Sequence, residues 1–312
     1  MKRPDTSLAR SIGAQALELP DVTATEITEG VMNWKFRLLT PDGDAFILRF
    51  YPEARASLVD FEPDLLRRCR RHRMRVPDVV VDSRSGPRAD WSYVLYRMLP
   101  GRTLASRLEH IGDAQLRSLC RDIYAQMAAL AELKFRGYGD PLTGATARDR
   151  IWSGFIRHTF DAALPNLARL DSLPRPVARD LEWIATRVDA IEPPGRAVAA
   201  WGDVSPHNII VDDAHRLVGL IDFEGVLAAE MALNIGYLKA GMAGSRFCKC
   251  IEQQWRHDER LEDRANLYAV VRALRIMRYA DKPLPLGRKR QPLEKFLPGF
   301  IPAVQKLCMM LR

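Results

Sequence analysis

Cysteine is scarce and dispersed in this 312-residue chain: five residues, at positions 69, 120, 248, 250 and 308. An odd, scattered set provides no disulfide framework. Cys248-Lys249-Cys250 is too tight for a zinc knuckle and has no second pair. The cysteines are therefore expected to be reduced, packed side chains of a cytoplasmic protein. No uninterrupted apolar stretch is long enough to span a bilayer, and the first residues lack the apolar centre of a signal peptide, so no membrane partner is expected. Internal repeats and low-complexity tracts are absent too, which excludes solenoid and linker-like designs. Basic residues outnumber acidic ones, for a net charge of +8. Yet the clusters at 67–75 and 287–290 carry no interleaved aromatics, so no nucleic-acid partner is expected. The first cluster reads as a solvated helix face.

The chain does have enough apolar residues (47%) and charges (28%) for a globular protein whose length calls for more than one lobe. Its most informative stretch is 201–224, WGDVSPHNIIVDDAHRLVGLIDFE. Asp203 is followed by Asn208 and the apolar run Ile209-Ile210-Val211, then a polar turn, then Leu217 to Ile221, then Asp222. This reads as a β-hairpin with oxygen ligands gathered at one end. Asp and Asn are common at strand ends, but three at this spacing suit a hard cation such as Mg²⁺, which takes carboxylate, carbonyl and phosphate oxygens. The same order occurs in phosphoryl-transfer sites, with one Asp in a catalytic loop and a second Asp on the metal.

Upstream, residues 1–22 read as a short helix or extended lead-in. Two strands follow, Trp34 to Leu39 and Ala45 to Tyr51, joined by the turn Pro41-Asp42-Gly43-Asp44. The loop Glu29–Asn33 before them, with Gly30 and Asn33, is placed to cover nucleotide phosphates. Arg49, on the second strand, is either a bidentate phosphate contact or an exposed strand cation. Leu58, Phe61, Leu65 and Cys69 predict a helix over 57–72. Within it Glu62 either holds Arg49 in place or caps the helix, since Pro63 favours a first turn. Two more strands, around 76–81 and 91–98, lead to the breaker Leu99-Pro100-Gly101, where backbone groups of Tyr96 to Met98 are positioned to meet an adenine. Helices are expected over 113–134, 147–170, 175–191, 230–242, 245–256, 259–280 and 292–311.

With these pieces in order, the chain resembles the aminoglycoside phosphotransferase and choline kinase-like family of small-molecule kinases. The resemblance runs over nearly the whole length and rests on EGVMNWKFRLL, AFILRFY, YVLYRMLPGRTL, RGYGDP and above all WGDVSPHNIIVD…LVGLIDFE. It implies an α+β, bilobal protein-kinase-like fold. A β-rich nucleotide-binding lobe would span 1–98, and a larger, mainly helical lobe, 99–312, would carry the catalytic loop, metal site and acceptor region. Asp203 would orient the acceptor hydroxyl and accept its proton; Asn208 and Asp222 would hold Mg²⁺. Arg49, supported by Glu62, would contact the phosphates of ATP or GTP, with Gly30, Asn33, Tyr96 and Met98 completing the nucleotide site.

The pattern departs from the family at Trp201, where a His usually braces the loop, so packing must replace that brace. The usual Gly-Asp-Pro is Ala229-Glu230-Met231, the next family Asp is Asn234, and a common Leu-His pair is Leu130-Ala131. These departures leave a nucleotide-binding scaffold without turnover as the competing reading. The acceptor stays open between an aminoglycoside or other antibiotic and a metabolite such as an amino alcohol or sugar. Glu252, Asp258, Glu259, Glu262 and Asp263 suit a cationic acceptor or else form an exposed face interleaved with Arg256, Arg260 and Arg264; Arg272, Arg275 and Arg278 suit an anionic one.

Overall fold

The structure is a computed structural model that describes residues 3–30, 32–143, 145–167, 173–191, 195–255, 259–277 and 297–312. Chain order begins with α1 (Thr6–Leu17), β1 (Thr23–Ile27), β2 (Trp34–Leu39), β3 (Ala45–Phe50), α2 (Glu62–Arg71), β4 (Val79–Asp82) and β5 (Tyr93–Arg97). The strands form one antiparallel sheet in the order β1-β2-β3-β5-β4. Alternation drives it: Phe36, Leu38, Phe46, Leu48 and Phe50 point to one face and are buried with Tyr93 and Leu95 against Ala9 and Ile12 of α1. Each large apolar side chain so enclosed contributes about 1.5–3 kcal/mol. The helix expected from residue 57 starts at Glu62, and 53–60 winds as a 3₁₀ segment instead. Pro63 explains the break, because its ring and missing N–H are tolerated only in a first turn.

The second lobe opens with β6 (Arg102–Thr103), which pairs with the first strand of the 209–220 hairpin and so ties the connector to it. Next come α3 (Asp113–Ala131), β7 (Tyr138–Pro141), β8 (Ala147–Asp149), α4 (Trp152–Leu167), α5 (Arg175–Ala185), β9 (Val198–Ala200), β10 (Ile209–Val211) and β11 (Leu217–Leu220). The described chain ends with β12 (Leu227–Ala229), α6 (Ala232–Met242), α7 (Arg246–Glu252), α8 (Glu259–Met277) and α9 (Leu297–Leu311). The helix expected from 147 starts late because its first residues pair as a strand: 147–149 joins β7, and α4 begins at Trp152. Strand 227–229, just ahead of the helix expected from 230, lies between β7 and β9. The α3 stripe Leu116, Leu119, Cys120, Ile123, Met127 and Leu130 is buried as its periodicity predicts. α6 is buried on nearly all sides, and at Gly236 it lies so close to α8 that an added Cβ would stand 2.4 Å from the Ala265 carbonyl oxygen. This close approach fixes α8 against α6. The five cysteines are buried and free. No helix among the described residues is long and apolar enough to cross a membrane.

Candidate active site

The hairpin β10–β11 pairs Ile209 with Leu220, and the Ile221 amide donates to the Asn208 carbonyl at 2.9 Å, which brings the Asn208 and Asp222 ends of the two strands together. Asp203 joins them through Asn208, whose Nδ2 donates to the Asp203 carbonyl (3.2 Å) and to its Oδ2 (2.7 Å). The three residues separated in the sequence thus form one constellation. Asp222 itself sits in the left-handed backbone region (φ 66°), an uncommon setting for a non-glycine residue that turns its carboxylate away from the strand direction.

The loop before Asp203 is held from three sides. Trp201 is fully buried, stacked on Phe223 with centroids 6.0 Å apart, and its Nε1 donates to the Ile221 carbonyl at 3.2 Å. Packing plus one hydrogen bond therefore stand where the family's His would be. Gly202 has φ +73°, and a Cβ there would lie 2.4 Å from the Gly225 carbonyl oxygen. Its amide donates to Asn234 Oδ1 at 3.1 Å, so Asn234 still supplies the acceptor that a carboxylate would offer.

Arg49 is buried, which removes the exposed-cation reading. Its Nη1 donates to Glu62 Oε1 at 2.9 Å, settling Glu62 as its partner, although Glu62 also begins α2. Arg49 further meets Asp222 Oδ1 at 3.3 Å, Glu224 Oε2 at 3.4 Å and the Tyr96 hydroxyl at 3.2 Å. Burial opposes its charge, but Glu62, Tyr96, Asp222 and Glu224 hold its pKa well above the ordinary value. Arg49 thus couples the β-rich lobe to the loop after β11.

Glu224 takes a second arginine, Arg55, at 3.0 Å, and accepts from Asn33 Nδ2. This joins the Gly30–Asn33 loop to the second lobe; Val31 lies outside the described residues. Lys35 stands opposite Arg49 in the β2–β3 register, and its pKa is lowered by burial and by Arg49 while Asp222 and Glu224 pull it up. Gly30, at φ +94°, takes a backbone conformation that favours glycine, and the Lys35 amine lies 2.7 Å from where a Cβ would stand.

Lys35, Arg55 and Glu224 were not picked out from the sequence. The register that puts Lys35 beside Arg49 was readable from the hairpin, whereas the partners of Arg55 and Glu224 were not. Tyr96 supports Arg49 from below, its ring centroid 5.6 Å from the guanidinium. The Arg97 amide donates to Asp78 and the Met98 amide to Ala45, so an adenine here would find those two donors already used.

On the other side of Asp203, α8 presents Arg264, Tyr268, Arg272 and Arg275, spaced to share one face. Arg264 and Tyr268 bond Glu230 at 2.9 and 3.1 Å, and Trp152 Nε1 donates to the Tyr268 hydroxyl at 2.8 Å. Glu230, one of the departures from the family, thus anchors a buried network. Arg275 pairs with Asp140 through both guanidinium nitrogens, and Arg272 reaches Asp203 Oδ1 at 3.5 Å. Of the acidic residues considered for a cationic acceptor, Glu252 and Glu262 pair with Lys239 at 3.2 and 3.8 Å. Asp258, Arg256 and Arg278 fall outside the described residues, as do the side chains of Glu259, Arg260 and Asp263.

For a divalent cation the protein offers the Asp222 carboxylate and the side-chain Oδ1 of Asn208, whose Nδ2 is already occupied by Asp203. Among the described residues no three His, Cys, Asp or Glu side chains come together to hold a metal by themselves. A two-ligand site completed by phosphate and water is what Mg²⁺ takes in nucleotide-dependent phosphoryl transfer.

The model of the phosphotransferase enzyme family matches residues 23–274. No curated protein sequence matches the chain. Among solved structures, a thermostable mutant of aminoglycoside phosphotransferase APH(4)-Ia in complex with AMP-PNP and hygromycin B superposes with TM-score 0.67 at 16% identity, covering 96% of this chain and 97% of the other. ADP-bound aminoglycoside phosphotransferase APH(2'')-Ib gives 0.65 at 14% identity over 99% of both chains. A putative fructosamine-3-kinase from Haemophilus somnus gives 0.64 at 12% identity over 96% of both. At these identities the likeness establishes the protein-kinase-like fold.

Proposed function

The chain belongs to the phosphotransferase enzyme family, and we propose that it transfers the γ-phosphoryl group of ATP or GTP to a hydroxyl of a small molecule. The carrying observation is the bonding of Asn208 Nδ2 to the backbone carbonyl and to Oδ2 of Asp203, while the Asn208 backbone carbonyl receives the Ile221 amide next to Asp222. In this reading the acceptor oxygen bonds to the γ-phosphorus as the bridge to the β-phosphate breaks, and Asp203 orients the hydroxyl and takes its proton. Asn208 and Asp222 would hold Mg²⁺, which supplies charge neutralisation on the phosphate oxygens. Lys35 under the Gly30–Asn33 loop and Arg49 between Glu62 and Asp222 supply the remaining positive charge from residues 1–98. Residues 99–312 provide the catalytic loop and the acceptor side. Catalysis then rests on positioning and electrostatics, with little covalent chemistry asked of the protein.

Aminoglycosides are one acceptor class consistent with the similar structures, and metabolites bearing a hydroxyl are another. The test is Mg²⁺-dependent turnover of ATP and GTP with a hydroxyl-bearing acceptor panel, wild type against Asp203→Ala. The proposal expects acceptor-stimulated turnover that falls about 10²–10⁴-fold in the variant. Equal rates in both proteins with every acceptor would refute it and favour a nucleotide-binding scaffold.

A further inference from the structure

The three arginines on the cleft-facing side of α8 are not equivalent. Arg264 and Glu230 are 15% and 11% exposed and bonded at 2.9 Å; Arg275 and Asp140 are 17% and 27% exposed and bonded through two nitrogens. These pairs are closed. Among the described residues Arg272 makes one ion-pair contact, 3.5 Å to Asp203, and the two side chains are 34% and 37% exposed. Its guanidinium carbon stands over the Tyr237 ring, 5.0 Å from the centroid, a contact that does not use its N–H groups. An arginine has five donors in a rigid fork, so this one keeps most of them for something else.

Asp203 is also where the acceptor hydroxyl must arrive. Beside it Asp222 faces Arg49 at 3.3 Å, and along the same face of α8 Glu230 and Asp140 are already taken by Arg264 and Arg275, with Arg148 a second cation on Asp140 at 3.6 Å. An ammonium-rich acceptor would meet guanidinium groups here.

We propose that the acceptor carries an anionic group, a carboxylate or a phosphate monoester, near its reactive hydroxyl, and that Arg272 binds that group. The inference rests on the kinase reading of Asp203 and narrows its acceptor class. The anion would exchange for the weak Asp203 contact, leaving the Asp203 carboxylate to the acceptor hydroxyl. Arg272 would act through the bidentate geometry that guanidinium offers carboxylate and phosphate.

Matched pairs of probes test this: glycerate against glycerol, glucose 6-phosphate against glucose, with kanamycin and hygromycin B as polycations. Binding is followed by calorimetry in the presence of Mg²⁺ and a non-hydrolysable ATP analogue, separately from turnover. The expected result is that an anionic member binds more tightly than its neutral partner and than either polycation. Arg272→Gln should weaken that binding about tenfold or more, with Arg272→Lys recovering part of it. Asp203→Asn, which removes the carboxylate competing for Arg272, should tighten it, a sign that a folding defect would not produce.

Tighter binding of the polycations, or equal losses for charged and neutral partners in Arg272→Gln, would overturn the anionic acceptor. Failure of every anion to bind at 10-mM concentrations on the order of small-ligand limits would overturn it as well. A failure of the kinase reading is separable: anions would bind through Arg272, yet Asp203→Ala would leave nucleotide turnover unchanged.

Discussion

Breaking the Arg49–Glu62 pair separates stability from chemistry in this site. Both side chains are almost fully enclosed, bonded at 2.9 Å, and Glu62 also accepts from the Tyr51 hydroxyl. Glu62→Ala would leave a buried guanidinium and a buried phenol each short of a partner. Removing one member of such a pair costs about 3–5 kcal/mol. Asp222 at 3.3 Å and Glu224 at 3.4 Å remain beside Arg49 and soften the loss, so the lower end, about 3 kcal/mol, is expected. At roughly 2 °C per kcal/mol for a chain of this size, the melting temperature should fall by about 6 °C.

The double variant Arg49→Met with Glu62→Leu replaces charge with packing of similar volume, and should recover most of that stability. Nucleotide affinity should not recover with it, because the Arg49 charge beside Asp222 is then gone and Lys35 alone remains there. Thermal unfolding paired with nucleotide binding by calorimetry reads both quantities. A double variant that regains both would refute the view that Arg49 serves the site through its charge; a stable Glu62→Ala would refute the buried pair itself.

Two further outcomes concern the supports of the site and of the sheet. Asn234→Ala should strand the Gly202 amide at a cost of about 1–3 kcal/mol and lower kcat, whereas Asn234→Asp, which keeps an acceptor, should retain kcat; steady-state kinetics and unfolding check both. Burial pushes the Asp82 carboxyl up, but hydrogen bonds from Arg84 (2.9 Å) and Arg67 (3.1 Å) win, and its pKa lies below the ordinary value. A carboxyl depressed in the folded state stabilises above its unfolded pKa, and that stability is lost as pH falls through the folded pKa. Asp82→Asn should therefore be less stable than wild type at pH 7, with the gap closing below about pH 4, as followed by unfolding against pH.

The features legible in the sequence are those set by neighbours along the chain. Asp203, Asn208 and Asp222 lie within one hairpin, whose apolar runs and polar turn already specify that its two ends meet. The α3 stripe and the β2–β3 alternation are local in the same sense. Where short-range rules competed, the structure chose: Pro63 outranked the apolar periodicity before it and delayed α2, and strand pairing claimed 147–149 from the helix expected there. Beyond the Arg49–Glu62 pair, which the sequence offered as one of two readings, the charge partnerships of the site were decided by tertiary structure. Arg49 finds Glu224 across 175 residues and Asp203 finds Arg272 across 69, and neither pairing follows from spacing. A backbone period constrains which face a residue occupies. Which charge it meets there depends on how two lobes and the helix α8 pack, and burial then decides whether that meeting is a closed ion pair or an arginine with donors to spare.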